Sequence, residues 1–218
     1  MKQICDEQQF PILNLHEHTR EVFSVNWNLV RKDSFVSGSW DHTIKLWSPE
    51  SNKSLATWKE HQNCVYQTAW SPHLAEMFAS ASGDMTVKLW DIRGPRSMKT
   101  FQAHGNEVLA LDWNKYDPNC LVTAGVDHSI KVWDLRNTAQ EVMTLRGHEY
   151  AIRRLKCSPH VKSVIGTVSY DMTMRVWDTT RGYNSLVHMH EMHTEFVVGL
   201  DFNMFVPGQV ATCAWDET

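Results

Sequence analysis

Residues 147–178 read GHEYAIRRLKCSPHVKSVIGTVSYDMTMRVWD. Within this stretch His148 is followed 23 residues later by Asp171, with Thr167 four residues before that aspartate and Trp177 six after it. The same offsets recur outward in both directions. Toward the N-terminus stand His104, Thr123, Asp127 and Trp133, then His61, Ser80, Asp84 and Trp90, then His18, Ser37, Asp41 and Trp47. Toward the C-terminus stand His193, Thr212 and Asp216. Successive histidines are 43, 43, 44 and 45 residues apart.

A period of this length, with His near its start and Trp-Asp at its end, is the pattern of WD-repeat propeller blades. The chain is therefore expected to be all-β, a WD-repeat β-propeller. The four residue types also explain each other. Neutral imidazole has one donor and one acceptor nitrogen, so it can bridge a carboxylate and a hydroxyl, while the hydroxyl takes a further bond from an indole N–H. Such a buried network specifies one strand arrangement when every member is satisfied. Ser/Thr, His and Asp also invite a hydrolase reading, but a catalytic triad is needed once and this set occurs five times. The tetrads are expected to be scaffold, and no enzyme activity is expected from them.

Between the tetrads lie short runs rich in β-branched and aromatic residues, bounded by Asp, Asn, Pro or Gly. VFSVNW, SFVSGS, TIKLW and KSLATW form the first set; VYQTAW, MFASAS, TVKLW and SMKTF the second; VLALDW, CLVTAG, SIKVW and EVMTL the third; AIRRLKC, SVIGTVS, TMRVW and NSLVHM the fourth. FVVGLDF and QVATCA start a fifth, and PILNL at 11–15 has the position of an outermost strand preceding the first. The expected organisation is a non-repeat segment at 1–10 and a partial propeller at 11–218, with blades about 16–58, 59–101, 102–145 and 146–190 and a partial one at 191–218. Four full blades plus parts of two others make an incomplete ring, because propellers close to leave only short, protected edges.

The totals narrow the function class. Net charge is −4 with the basic residues dispersed, which gives no electrostatic footprint for nucleic acid. No run of 18 apolar residues predicts a transmembrane helix, and MKQICDEQQF has no apolar segment of a signal peptide. Five scattered cysteines with no CxxC pair fit free thiols in a reducing compartment. His188, His190 and His193 stand close together, but His193 belongs to a tetrad, so neither a metal site nor any cofactor is expected.

The wording of individual blades goes further than the register. HTREVFSVNWN, CVYQTAWSPH, FASASGD, LDWNKYD, GHEYAIRRLKCSPH, SYDMTMRVWD and HTEFVVGLDF closely resemble the peroxin-seven family, the cytosolic receptors for the type-two peroxisomal targeting signal. The resemblance covers nearly all of 11–218 and includes residues the scaffold does not require, such as Tyr66, Asn114-Lys115-Tyr116, Arg153-Arg154 and the His-Thr-Glu-Phe at 193–196. It implies a longer, seven-bladed parent. It also implies a non-catalytic receptor that binds an N-terminal nine-residue signal, with Arg or Lys and an apolar residue at its start and His or Gln and an apolar residue at its end. Its partners would be signal-bearing proteins, an import co-receptor and docking proteins. Its location would be the cytosol and the peroxisome matrix, without insertion into the membrane.

Residues that are the same in every blade serve the fold, so residues that vary on one face are the candidates for binding. The residue before each tetrad aspartate and the residues just after each histidine lie at one end of a propeller. The first series supplies Trp40, Tyr170 and Trp215, and the second Glu21, Tyr66, Glu107, Arg153 and Glu195. This rim of aromatics and carboxylates suits an amphipathic basic helix. A competing reading rests on WDIR and WDLR at 90–93 and 133–136. Their consecutive WD-x-Arg endings resemble substrate receptors of the cullin-four ubiquitin ligase; a generic interaction scaffold is the fallback.

Overall fold

In every repeat the first strand begins four residues after its histidine, at Val22, Val65, Val108, Ile152 and Val197. The computed structural model describes residues 13–216. The first sheet comprises β1 (Val22–Trp27), β2 (Phe35–Ser39), β3 (Ile44–Trp47) and β4 (Ala56–Trp58); the second β5 (Val65–Trp70), β6 (Met77–Ser82), β7 (Thr86–Asp91) and β8 (Ser97–Gln102). The third holds β9 (Val108–Trp113), β10 (Cys120–Gly125), β11 (Ser129–Asp134) and β12 (Met143–Arg146). The fourth holds β13 (Ile152–Cys157), β14 (Val164–Ser169), β15 (Met174–Asp178) and β16 (Leu186–His190), and β17 (Val197–Phe202) pairs β18 (Val210–Ala214). Each sheet is an antiparallel meander in sequence order, and the arc of blades is not closed into a ring.

The expected strands are present with small differences at their ends. In the first blade the outermost strand begins at Ala56 rather than Lys53. Ser54 is instead held by Glu17, which accepts from the Ser54 backbone N–H at 2.9 Å and hydroxyl at 2.5 Å, and from Lys45 Nζ at 3.0 Å. The Ser54 bonds, with Lys45, keep the Glu17 carboxyl down at about 2. Residues 13–15 take no strand; the rest of the expected 11–15 strand, like the non-repeat segment at 1–10 with Cys5, lies outside the described residues.

The tetrads form as the register predicts. Each histidine Nδ1 meets its aspartate, from 2.7 Å at His148–Asp171 to 3.0 Å at His193–Asp216. Each Nε2 meets its hydroxyl at 2.7–2.9 Å, on Ser37, Ser80, Thr123, Thr167 and Thr212. In four blades the same oxygen accepts the indole N–H of Trp47, Trp90, Trp133 or Trp177 at 2.8–2.9 Å. One proton assignment satisfies all of these: Nδ1–H donates to the carboxylate, and Nε2 accepts from the hydroxyl while that oxygen accepts from the indole. The aspartate also ends a tight turn whose next residue, His42, Met85, His128 or Met172, sits at positive φ. In that turn Asp41, Asp84, Asp127 and Asp171 each accept from the backbone and side chain two residues on.

The apolar core is divided into four parts, each between consecutive blades. Val36, Ile44 and Trp58 pack on Val65, Phe78 and Trp90; Ala81 and Val87 on Leu111 and Leu121; Val122 and Ile130 on Leu155 and Ile165; Val168 and Met174 on Val197 and Leu200. Polar bonds cross the same boundaries. Trp70 Nε1 donates to the Asn26 carbonyl at 3.1 Å, and Trp113 Nε1 to that of Ala69 at 2.9 Å. Neighbouring blades therefore hold a fixed angle, and the inner strands β1, β5, β9, β13 and β17 line a common channel.

Two stability consequences follow from the tetrads. His104→Ala would leave Asp127 and the Thr123 hydroxyl without their shared partner, and is expected to cost about 2–4 kcal/mol in urea denaturation. Exposed Met98→Ala should change stability by less than about 0.5 kcal/mol. The second concerns acid. Burial acts to raise the carboxyls of Asp84, Asp127 and Asp171, but the histidine and hydroxyl bonds outweigh it and hold them below the ordinary 3.8. Burial likewise lowers His148 below its ordinary 6.5. All these groups release protons more readily when folded, so their stabilisation is complete above the unfolded values and is lost as pH falls. The urea midpoint should decline from pH 6.5 and drop steeply below about 4; a rise on acidification would contradict the assignment.

Candidate peptide-binding rim

The rim follows from a backbone irregularity that repeats in all five blades. Pairing between the first and second strands skips one residue each time: Phe23, Tyr66, Leu109, Arg153 and Val198. Each lies five residues after its histidine. A bulge leaves one residue without a ladder partner and re-aims its side chain, and bulges are common beside functional sites. Here three of the five re-aimed side chains, Phe23, Tyr66 and Arg153, meet across the blades. At Gly125, opposite the third bulge, a Cβ would run into the Glu107 carbonyl, so the narrow crossing admits only glycine.

A second repeated bond sets the rim residues side by side. The N–H of Trp40, Gly83, Val126, Tyr170 and Trp215 donates to the carbonyl of Glu21, Cys64, Glu107, Ala151 and Phe196 respectively, at 2.9–3.1 Å. The residue before each tetrad aspartate is thus locked beside the residue three after the histidine.

On this frame the structure gathers one cluster from four blades. Phe23 is its centre. Trp40 stacks on it at 5.0 Å with 14° between planes, Tyr66 meets it edge-on at 5.7 Å, and the Arg153 guanidinium lies over its ring at 5.0 Å. Arg153 belongs to the fourth blade and Phe23 to the first, so this contact spans the channel mouth. Tyr66 Oη donates to Glu107 Oε2 at 3.1 Å. Burial, then the charge of Glu107 and this bond, push the Tyr66 hydroxyl well above its ordinary 10, so it stays a donor. Two polar atoms of the cluster, Trp40 Nε1 and Arg153 Nη1, are buried without a hydrogen-bond partner among the described residues.

A second group joins the fourth and fifth blades. Tyr170, Phe196 and Trp215 lie 4.9, 5.4 and 6.4 Å apart by ring pairs, with Trp215 63 % exposed. Of the eight rim residues expected from sequence, Trp40, Tyr66, Glu107 and Arg153 meet in the first cluster and Tyr170 and Trp215 in the second. Glu21 and Glu195 are exposed and stand outside both. Phe23 and Phe196 were missed. Phe23 shares the register position of Tyr66 and Arg153, and Phe196 that of Glu107, so counting strictly from each histidine would have found them.

His193 is committed to Thr212 and Asp216, and His190 only approaches it edge-on at 6.3 Å. Among the described residues no three His, Cys, Asp or Glu side chains converge as metal ligands. Arg93 and Arg136 fold back on the aspartates two residues before them, with Nε to Oδ1 distances of 2.8 and 2.9 Å.

Comparison with known proteins agrees with this geometry. The EIPR1 beta-propeller model matches residues 50–177, more than half of the chain, and the WD domain, G-beta repeat model matches 9–48. A peroxisomal targeting signal 2 receptor of Dictyostelium discoideum is 68% identical over 199 residues, covering 91% of this chain and 63% of that protein. Its namesake in Mus musculus is 56% identical over 95% of this chain and 65% of its own length. Peroxisome biogenesis protein 7 of Arabidopsis thaliana is 62% identical, with the same 95% and 65% coverage. The chain thus spans slightly less than two thirds of these relatives. Nothing among them supports the ubiquitin-ligase reading of Arg93 and Arg136. The repeated tetrads, the four-stranded blades and these matches together make the chain a member of the WD-repeat β-propeller family, akin over this length to the peroxisomal targeting signal 2 receptors.

Proposed function

We propose that the chain is a cargo receptor for peroxisomal matrix import, binding the N-terminal type-two targeting signal at the rim. The observation that carries this reading is the convergence of Phe23, Trp40, Tyr66, Glu107 and Arg153 from four blades at one mouth of the channel. The names of relatives at 56–68% identity supply the ligand class. The signal is short, basic at its start and amphipathic as a helix. Its apolar side suits the two aromatic groups, whose exposed member Trp215 offers area at small entropic cost. Its leading Arg or Lys suits the carboxylates Glu21, Glu107 and Glu195. Glu107 is the best prepared of these, because the Tyr66 hydroxyl already holds its carboxylate in one orientation.

The chemistry required is binding alone: the five Ser/Thr-His-Asp sets are occupied in holding strands together, and the receptor is non-catalytic. Partners would be proteins bearing the signal, an import co-receptor that covers the helix side facing away from the rim, and docking proteins at the peroxisome. The receptor would move between the cytosol and the peroxisome matrix, and nucleic acid would not be a partner.

Fluorescence anisotropy with a labelled signal nonapeptide tests this. Glu107→Lys and Glu21→Lys should each weaken binding, Glu107→Lys by about tenfold or more as a close charge pair becomes a repulsion. Phe23→Ala should weaken it by a similar factor, because Trp40 loses its stacking surface. Unchanged affinity for a peptide whose first Arg is replaced by Glu would sink the assignment.

A further inference from the structure

The rim carries three glutamates and one arginine, and the arginine, Arg153, is unneutralised among the described residues. Among the described residues the Arg153 side chain has no carboxylate within ion-pair distance and no hydrogen bond, and its guanidinium lies over the face of Phe23. Its Nη1 is buried, as is the indole Nε1 of Trp40, and neither finds an acceptor among the described residues. Both side chains pack on the same ring, Trp40 at 5.0 Å and Arg153 at 5.0 Å, so the two unused donors flank Phe23. The carboxylate of the cluster, Glu107, is engaged by Tyr66. A buried donor left unmade costs roughly 1–3 kcal/mol and a charged one more. A tertiary contact could remove that cost, yet none of the described residues brings an acceptor to either donor.

The missing partner must satisfy two donors and one positive charge. A backbone carbonyl or an amide oxygen accepts hydrogen bonds but leaves the guanidinium uncompensated. A carboxylate does both, and it matches the planar donor fork of arginine. We propose that Arg153 and Trp40 form an acceptor subsite that takes the carboxylate of an Asp or Glu side chain on the chain occupying the rim. This deepens the reading of the rim as a peptide-binding surface. It gives the surface two polarities: peripheral glutamates for the basic end of a ligand, and a central donor pair for one acidic residue. Phe23 is the floor that orients both donors, and Arg153, reaching over from the fourth blade, closes the subsite across the channel.

The test uses isotope-labelled protein and two blocked tripeptides, acetyl-Gly-Glu-Gly-amide and acetyl-Gly-Gln-Gly-amide, followed by the Trp40 indole N–H resonance. The glutamate peptide at millimolar concentration should shift that resonance saturably, and the glutamine peptide should bind at least about fivefold more weakly, as expected for losing a charge-assisted bond. Arg153→Gln should abolish the preference, and Arg153→Lys, which keeps the charge without the fork, should retain part of it. The other indole and amide resonances report whether each variant is folded; if Arg153→Gln is not, Arg153→Lys and Trp40→Phe, the latter read on backbone amides around Phe23, decide instead. No shift with the glutamate peptide, an equal shift with the glutamine peptide, or a preference that survives Arg153→Gln would overturn the proposal. The signal nonapeptide is titrated in parallel. If it fails to bind while the glutamate peptide shifts Trp40, the cargo reading falls and the subsite stands; the converse result removes the subsite and leaves the cargo reading intact.

Discussion

A single oxygen in each blade carries the geometry of the rest. The hydroxyl of Ser37, Ser80, Thr123 or Thr167 lies between a histidine nitrogen and an indole nitrogen, and so joins the loop entering the blade, the second strand and the third. The histidine passes the connection to an aspartate that caps the turn between those strands. Every donor and acceptor that links these four side chains is used, which makes a slipped register costly: a shift by one residue would bury several unpaired polar groups at once. The blade is therefore fixed from within by polar bonds, while the apolar residues fix blade to blade.

That division of labour explains what the sequence makes visible. The tetrads repeat at constant offsets because hydrogen bonds tolerate little variation in distance, and five copies make the pattern hard to miss. The strands are legible for the same reason, since β-branched and aromatic runs alternate with turn residues at the same offsets. Strand ends are less so: Lys53 to Leu55 read as strand, but Glu17 captures Ser54 and holds that segment off the ladder until Ala56.

The rim is legible only in part. Trp40, Tyr66, Glu107 and Arg153 stand out as large or charged residues at varying positions, but Phe23 looks like an ordinary strand residue in VFSVNW. Its role depends on a bulge that no alternation of residue types announces. The meeting of Arg153 with Phe23 was not readable at all, because it joins non-consecutive blades. It is set by channel width and by the reach of an arginine, which emerge only when four interblade cores have fixed the curvature. Glu21 and Glu195, expected on the rim, are exposed and touch neither aromatic group.

The repeated bulge also bears on how such a molecule can acquire new ligands. Phe23, Tyr66, Leu109, Arg153 and Val198 share one backbone position, yet range from aromatic to aliphatic to cationic. None contributes a ladder pair, so exchanging one for another leaves every strand bond and every tetrad in place. The backbone behaves as a socket and the side chain as its interchangeable fitting. A mouth built from such positions can drift from one recognition chemistry to another by single substitutions that leave the strand ladder intact, and the common scaffold then carries many specificities without itself encoding any of them.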